Sequence, residues 1–261
     1  MSSSNGDGGH ARERDEPWYV AAFRGEYLAV YPHRNLESAR VEARWILQRG
    51  VHGRVLDHCC GFARHTLALR ELGVDVFGMD LSPDLLRHAR ELPGAERLAG
   101  RLVRGDARRL PFRDATFDSL VNLFSSFGYF GDEGDRAVLD EIARVLRPSG
   151  TIVLDLMNPA RIRAGLVPRS RAERGGFEWI EERSLADDDR RVVKRVTKVA
   201  PSGERQTWTE SVRMYELDEM EALLAARSLR IEGVDGGFEG EVAGPAAPRQ
   251  ILRARRAETS L

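Results

Sequence analysis

The chain has 261 residues, 40 basic and 41 acidic side chains, a formal net charge of −1 and 42% hydrophobic residues. That length suits one sizeable α/β domain with an elaboration and is short for two independent domains. The charge balance excludes a strong overall field toward nucleic acid or membrane. No apolar run approaches the ~20 residues of a membrane-spanning helix.

Residues 1–15 are Ser/Gly-rich and charged, without the apolar stretch of a signal peptide, and are predicted to be disordered. Residues 16–50 read as a helical lead-in. Tyr19, Phe23, Tyr27 and Tyr31 recur every four residues, a stripe if the segment is helical, and a helix over about Leu36–Arg49 shows Val41, Trp45 and Leu47 on one face. Alternating units follow. They are strand Arg54–Asp57, helix Arg64–Leu72 stopped by Gly73, strand Val74–Met79, and a helix opened by Ser82-Pro83-Asp84 with its N-cap and a proline in the first turn. Next come strand Arg101–Arg104, strand Ser119–Asn122, helix Asp132–Leu146 and strand Thr151–Asp155. Strands alternating with helices predict a doubly wound, Rossmann-like, mostly parallel sheet. After Pro159 the pattern changes. Phe177–Ser184, Arg191–Val199 and Gln206–Tyr215 read as a small antiparallel insertion within 161–215. A helix at Asp218–Arg227 and strands at Arg230–Val234 and Gln250–Arg255 complete the core, 51–160 plus 216–257.

The chemistry concentrates where the first strand ends, at Val55-Leu56-Asp57-His58-Cys59-Cys60-Gly61-Phe62-Ala63. A dinucleotide loop needs three glycines to bring backbone against a pyrophosphate, and only Gly61 is present. A phosphate-cradling GxxxxGK[ST] loop is absent. A turn of small residues without that demand suits a nucleoside bearing an amino acid, S-adenosylmethionine. Asp57 and backbone near Cys59 and Gly61 would hold its amino-acid end, beside a helix N-terminus. Asp80, followed by Leu81, ends the second strand and would accept the ribose hydroxyls. Asp106 and Ala107 follow the third strand and would meet the adenine. Asn122 and Phe124 follow the fourth and would flank the methionine moiety. Cys59 and Cys60 are adjacent and lack zinc-site spacing, so no metal is expected, and the pair points to a reducing cytoplasm.

The series Val55-Leu56-Asp57…Gly61, Gly78-Met79-Asp80-Leu81-Ser82, Gly105-Asp106-Ala107 through Phe112, Phe117-Asp118-Ser119-Leu120 and Ile142–Gly150 resembles the class I S-adenosylmethionine-dependent methyltransferases. The resemblance covers about residues 54–157. Asn122–Phe130 resembles the small-molecule enzymes of bacterial metabolism within that class, including amino-sugar N-methyltransferases, which also carry a β insertion after strand five. It implies a seven-stranded sheet and methyl transfer to nitrogen or oxygen of a small metabolite by in-line displacement. The family has glycine where Cys59 and Ala63 stand, a substitution expected to be tolerable if φ there is negative.

Tyr31, His33 and Tyr129 are the catalytic candidates, with His65 and Asn158 on segments bordering the site. The N-terminal aromatics either pack on the domain or form a lid, with Tyr31 or Tyr27 near the sulfonium. Tyr31 is therefore also a candidate for cofactor binding. Arg161, Arg163 and Trp179 are expected to line the acceptor pocket. The basic run Arg190–Lys198 alternates with valines and reads as a half-exposed strand rather than a nucleic-acid surface. The partner expected is a small-molecule acceptor, with no nucleic acid and no membrane, and a homodimer left open. RNA or protein methylation, a non-catalytic protein binding S-adenosylmethionine or its homocysteine product, and a nicotinamide oxidoreductase are the alternatives.

Overall fold

The computed structural model describes residues 17–23, 31 and 34–258, so residues 1–15, Tyr27 and His33 lie outside the described residues. A short helix α1 (Trp18–Ala22) and a longer α2 (Leu36–Gln48) precede the sheet. The core then runs β1 (Arg54–His58), α3 (Arg64–Glu71), β2 (Asp75–Asp80), α4 (Pro83–His88), β3 (Leu102–Arg104), β4 (Phe117–Asn122), α5 (Gly131–Val145) and β5 (Leu146–Met157). After α6 (Pro159–Gly165) come β6 (Arg169–Arg174), β7 (Phe177–Ala186), β8 (Arg191–Val199) and β9 (Arg205–Arg213). The chain ends with α7 (Leu217–Ala225), β10 (Leu229–Asp235) and β11 (Arg249–Arg256).

Seven strands form one sheet in the order β10-β11-β5-β4-β1-β2-β3. The strands from β5 to β3 are parallel, and β11 runs antiparallel to both β5 and β10. A sheet covered on both faces needs strands that are apolar throughout, and in β4 five of the six residues are buried. Leu139, Ile142, Met220 and Leu224 cover one face, and Ala39, Ala43, Ile46 and Leu69 cover the other. The predicted doubly wound sheet and its later antiparallel insertion are both present.

Local departures have physical reasons. The buried stripe of α2 is Ala39, Ala43 and Ile46, where two alanines let α2 approach α3 closely, while Val41 is 50% exposed. The aromatic stripe is not one helix: α1 ends at Ala22, and Tyr31 lies outside any helix. A residue preceding a proline is steered out of the α region, and Tyr31 precedes Pro32. The insertion has four strands, ordered β6-β7-β8-β9. The extra one, β6, is an edge strand of alternating exposure whose arginines gave no apolar signal.

The loop from β4 to α5 is held against the insertion at Gly128. Its carbonyl accepts from the Arg213 amide of β9 at 2.8 Å. Its φ is 97°, and a Cβ there would lie 2.4 Å from the Arg213 carbonyl oxygen. Gly128→Ala therefore meets both a forbidden backbone region and a backbone clash. It should destabilise by about 2–4 kcal/mol, read as a lower urea midpoint at unchanged slope.

Candidate active site

The strand order reverses between β1 and β4, which opens a crevice at the carboxyl ends of the strands. Beyond β1 the backbone is left-handed at every second residue: φ is 60° at Cys59, 57° at Gly61 and 60° at Ala63. The condition of negative φ, under which Cys59 and Ala63 would be tolerated without strain, is therefore not met. The loop keeps a conformation suited to three glycines while two positions carry side chains, a strain of roughly 1–2 kcal/mol each. Such alternation turns successive amides toward one concavity that favours an anion. Here the Gly61 amide donates to Asp80 Oδ2 at 2.8 Å. The Ser82 amide donates to Oδ1 of the same carboxylate at 2.8 Å. Burial raises the Asp80 pKa, while the two amides pull against it.

A cavity of about 350 Å³ opens beside Asp80. Tyr19, Val20 and Phe23 form one wall, and Leu81, Leu85 and Ala107 another. Ser126, Tyr129 and Phe130 close a third. The Tyr129 ring stacks on Phe23 at 5.8 Å and meets Trp18 edge-on at 4.8 Å. The Gly105 backbone comes close because no side chain fits: a Cβ would lie 3.0 Å from Met79 Sδ and from Pro111 Cδ.

A second cavity of about 40 Å³ shares Cys59, Gly61 and Ser126 with the first and reaches Arg34, Asp57, Arg64, His65 and Phe124. Asp57 is buried and accepts from Thr66 Oγ1 at 2.6 Å. Burial pushes its carboxyl up to about 6, with the Thr66 hydroxyl and Arg64 acting against the shift. The His65 ring stacks on Phe124 and its Nε2 lies 2.6 Å from Glu42 Oε2. Burial lowers the His65 pKa to about 4, so the ring is neutral. Burial likewise lowers Arg34 to about 10.

Cys59, Gly61, Asp80, Leu81, Ala107 and Tyr129 all line the larger cavity, and Asp57 and Phe124 the smaller. Other candidates sit elsewhere. The Asp106 carboxylate is taken by Arg108, whose Nη2 lies 2.7 Å from Oδ2, and the cavity is lined by its neighbours instead. Asn122 is buried beneath the crevice, with Nδ2 2.8 Å from His58 Nδ1. Tyr31 belongs to the wall of the insertion: its hydroxyl donates to Glu210 Oε2 at 2.8 Å and accepts from Lys194. Asn158 is spent on the Gly244 and Ala247 carbonyls, each at 2.8 Å. Arg161 is exposed, and Arg163 pairs at the surface with Glu216 at 2.6 Å. Trp179 is buried in the insertion against Val196 and Trp208. Contrary to expectation, these three line neither of the two cavities described above, because α6 turns its arginines outward and Trp179 packs against its neighbours in the insertion.

Sequence reasoning passed over His58, Thr66, Arg64, Lys194 and Glu210, whereas Arg34 was marked by the loop Tyr31-Pro32-His33-Arg34 as an acceptor-side candidate and lines the smaller cavity. Thr66 and Arg64 carried a signal, since both fall at the start of the helix that follows the loop. Lys194 and Glu210 carried none, because they meet only through the strand register of β8 and β9.

The residues fit S-adenosylmethionine. Each Asp80 oxygen keeps acceptor capacity beyond its one amide, as a vicinal diol requires. The larger cavity is mostly apolar, as an adenosine asks, and the smaller sets a carboxylate opposite arginines. The sheet order, its one antiparallel strand near the end and the acid closing β2 are those of the Rossmann-like class I methyltransferase fold.

Comparison with known proteins agrees. Residues 55–150 match the family model described as a methyltransferase domain. Over 103 residues the chain is 40% identical to a demethylmenaquinone methyltransferase of Deinococcus radiodurans, an alignment covering 39% of this chain and 42% of that protein. The chain thus spans less than half the length of that relative. The CalS10 amino pentose methyltransferase of Micromonospora echinaspora, solved with S-adenosylmethionine bound, superposes with a TM-score of 0.65 at 26% identity, over 88% of this chain and 96% of that one. The CcbJ methyltransferase of Streptomyces caelestis shares the fold, with a TM-score of 0.75 at 16% identity over 92% and 98% of the two chains.

The loop strain has a measurable consequence. Cys59→Gly relieves a strained left-handed cysteine against glycine's extra chain entropy of about 0.5–1 kcal/mol, so stability should hold or rise by up to about 1 kcal/mol. Cys60→Gly, buried and outside the left-handed region, should cost about 2 kcal/mol. Urea unfolding of the two variants checks the contrast.

Proposed function

We propose that the protein transfers the methyl group of S-adenosylmethionine to an amine or hydroxyl of a polar small-molecule metabolite. The observation that carries this reading is Asp80, a half-buried carboxylate fixed by two amides at the mouth of an apolar cavity of nucleoside size. Bound S-adenosylmethionine supplies an electrophilic methyl group on a sulfonium. The chain's task is then to bind, align the acceptor in line with that methyl and exclude water. Asp80 takes the ribose hydroxyls, Leu81 and Ala107 flank the base, and Asp57 takes the ammonium beside the Cys59–Gly61 backbone.

Burial raises the pKa of both Tyr31 and Tyr129, with Glu210 adding to the shift at each. Both phenols stay protonated, so they serve as hydrogen-bonding and ring surfaces rather than as phenolate bases. An amine acceptor asks for no more than that, because its neutral form is the nucleophile, whereas a hydroxyl needs a base.

The insertion supports a polar acceptor. Lys194 and Glu210 are cross-strand partners 3.0 Å apart on its inner face, with Glu181 paired to Arg183 nearby. Charges kept at such depth cost desolvation that an apolar face would avoid. Of the acceptors in the relatives' names, an amino pentose and demethylmenaquinone, this surface favours the polar one. Action in the cytoplasm without nucleic acid belongs to the same reading. Three of the four basic residues of β8 support it: Arg191 pairs with Asp187, Lys194 with Glu210, and Lys198 lies over the Phe177 ring, leaving Arg195 exposed. Among the described residues no helix is long and apolar enough to cross a membrane.

Labelled-methyl transfer from S-adenosylmethionine to a metabolite extract tests the reading. Transfer into a polar product is expected, and a folded protein that neither binds the donor nor labels any metabolite overturns it. Asp80→Ala should weaken S-adenosylhomocysteine by about 10–100-fold through loss of charge-assisted hydrogen bonds, measured by calorimetry. A pH series adds a second check. The Asp57 carboxyl, raised to about 6 by burial, must be ionised to take an ammonium. Affinity should therefore be full above pH 7 and fall about tenfold between pH 7 and pH 5 as Asp57 protonates. Asp57→Asn should be weak at both pH values and flatten the profile.

A further inference from the structure

The small cavity holds a group that the reading above does not use. Arg64, the first residue of α3, is 3% exposed. Its Nη1 donates to Glu42 Oε2 at 2.9 Å and to Ser38 Oγ at 3.0 Å. Its guanidinium carbon lies 4.2 Å from the centre of the Phe124 ring. Its Nη2 is buried and has no hydrogen-bond partner among the described residues. A charged donor left in that state costs more than a neutral one, and such groups in native proteins ask for an explanation.

The surroundings supply one. Arg64 and Asp57 line the same cavity of about 40 Å³, beside Cys59 and Gly61, where it joins the nucleoside-sized cavity. Arg34 lines it as well. Burial lowers the Arg64 pKa, and the nearby Glu42 and Asp57 carboxylates keep the guanidinium charged. A compartment with a carboxylate on one wall and a cation with a spare N–H on another is complementary to a zwitterion. An amino-acid group carries its ammonium and carboxylate on one carbon, so it spans a compartment of this size.

We propose that Arg64, through Nη2, binds the carboxylate of the amino-acid moiety of the methyl donor, opposite Asp57. The proposal rests on S-adenosylmethionine being the donor. It makes Arg64 a binding residue with two tasks, since Nη1 joins α3 to α2 through Glu42 while Nη2 faces the ligand. The competing arrangement is that Arg64 joins the two helices and nothing more.

Calorimetry with three ligands on the full chain separates these. The ligands are S-adenosylhomocysteine, its analogue lacking only the carboxylate (S-adenosyl-3-thiopropylamine), and 5′-methylthioadenosine, which lacks the whole amino-acid group. The wild type should bind S-adenosylhomocysteine about 10–100-fold more tightly than the carboxylate-free analogue. Arg64→Gln should bring these two within about threefold of each other and leave 5′-methylthioadenosine within about threefold of its wild-type affinity. Arg64→Lys, which keeps the charge for Glu42 but loses the planar fork, should narrow the gap to under about tenfold. It decides the matter if the glutamine variant does not fold. A wild type indifferent to the carboxylate, a variant that weakens all three ligands alike, or an unchanged gap in Arg64→Lys each overturns the proposal. Failure of all three ligands to bind the wild type would instead overturn the donor assignment.

Discussion

The carboxyl edge of the sheet is organised around a 2.8 Å hydrogen bond from the Gly61 amide to Asp80. It ties the loop after β1 to the last residue of β2, and the loop meets it only in the left-handed conformations of Cys59, Gly61 and Ala63. The bond also makes a half-buried carboxylate tolerable, because oriented amides replace part of the water that Asp80 gives up. One residue of β2 carries the consequence further. A Cβ at Gly78 would lie 2.6 Å from Thr66 Oγ1 and 2.9 Å from Cys60 Sγ. The missing side chain lets α3 settle on the strand, and that brings Thr66 to Asp57. The two acids of the site are therefore set by one packing arrangement, and neither is positioned independently of the other.

The opposite lip of the crevice is fixed from the far end of the chain. Phe124 and Ser125 are both left-handed, with φ of 56° each. Asp155, at the end of β5, accepts from the Phe124 amide at 2.7 Å, and its own carbonyl accepts from the Ser125 amide at 2.9 Å. Arg249 closes the arrangement with Nε 2.6 Å from Asp155 Oδ1 and Nη2 2.8 Å from Ser125 Oγ. This works because β11 enters the sheet beside β5 with its first residue, Arg249, opposite Met157. The antiparallel strand is thus more than a finish to the sheet: it brings a cation to the loop that carries Ser126 and Tyr129.

Much of this was readable along the chain where the determinants are local. Ser82-Pro83 marks the start of α4 because an N-cap and a first-turn proline act within one turn, and Ser82 Oγ indeed accepts from the Leu85 amide. The strand-to-acid pattern at Asp57 and Asp80 was legible for the same reason. What escaped depends on contacts distant in sequence or on competition between neighbouring side chains. The Lys194–Glu210 pair exists only through strand register, and Asp106 turned to Arg108 because a charged neighbour two residues away outcompeted the crevice. The sign of φ at Cys59 could not be read from residue type, since the intrinsic preference of cysteine is weaker than the demand of the Gly61–Asp80 bond. The strand β6 was invisible because an edge strand of arginines lacks the apolar alternation by which strands are recognised.

The two ends of the proposed reaction are written in different stretches of the chain, with different physics. The donor end lies within residues 55–150, the stretch shared with the methyltransferase domain family. Its chemistry is backbone conformation and two carboxylates, which admit little variation without losing the nucleoside. The proposed acceptor end is built from the insertion, and its chemistry is side-chain charge on a sheet face: Lys194, Glu210, Glu181 and Arg183. A strand face changes its chemistry by substitution at alternate positions while its ladder of backbone bonds stays intact. The crevice can therefore keep one donor while the insertion changes the acceptor. Tyr31 joins the two ends physically: its ring packs against both the Phe62–Leu85 cluster beside the donor loop and the Trp179–Val196 cluster of the insertion, and its hydroxyl meets Glu210. A change of charge at Glu210 would thus be felt on the donor side through that one side chain, and this coupling gives the acceptor wall a route to influence how the donor loop is packed.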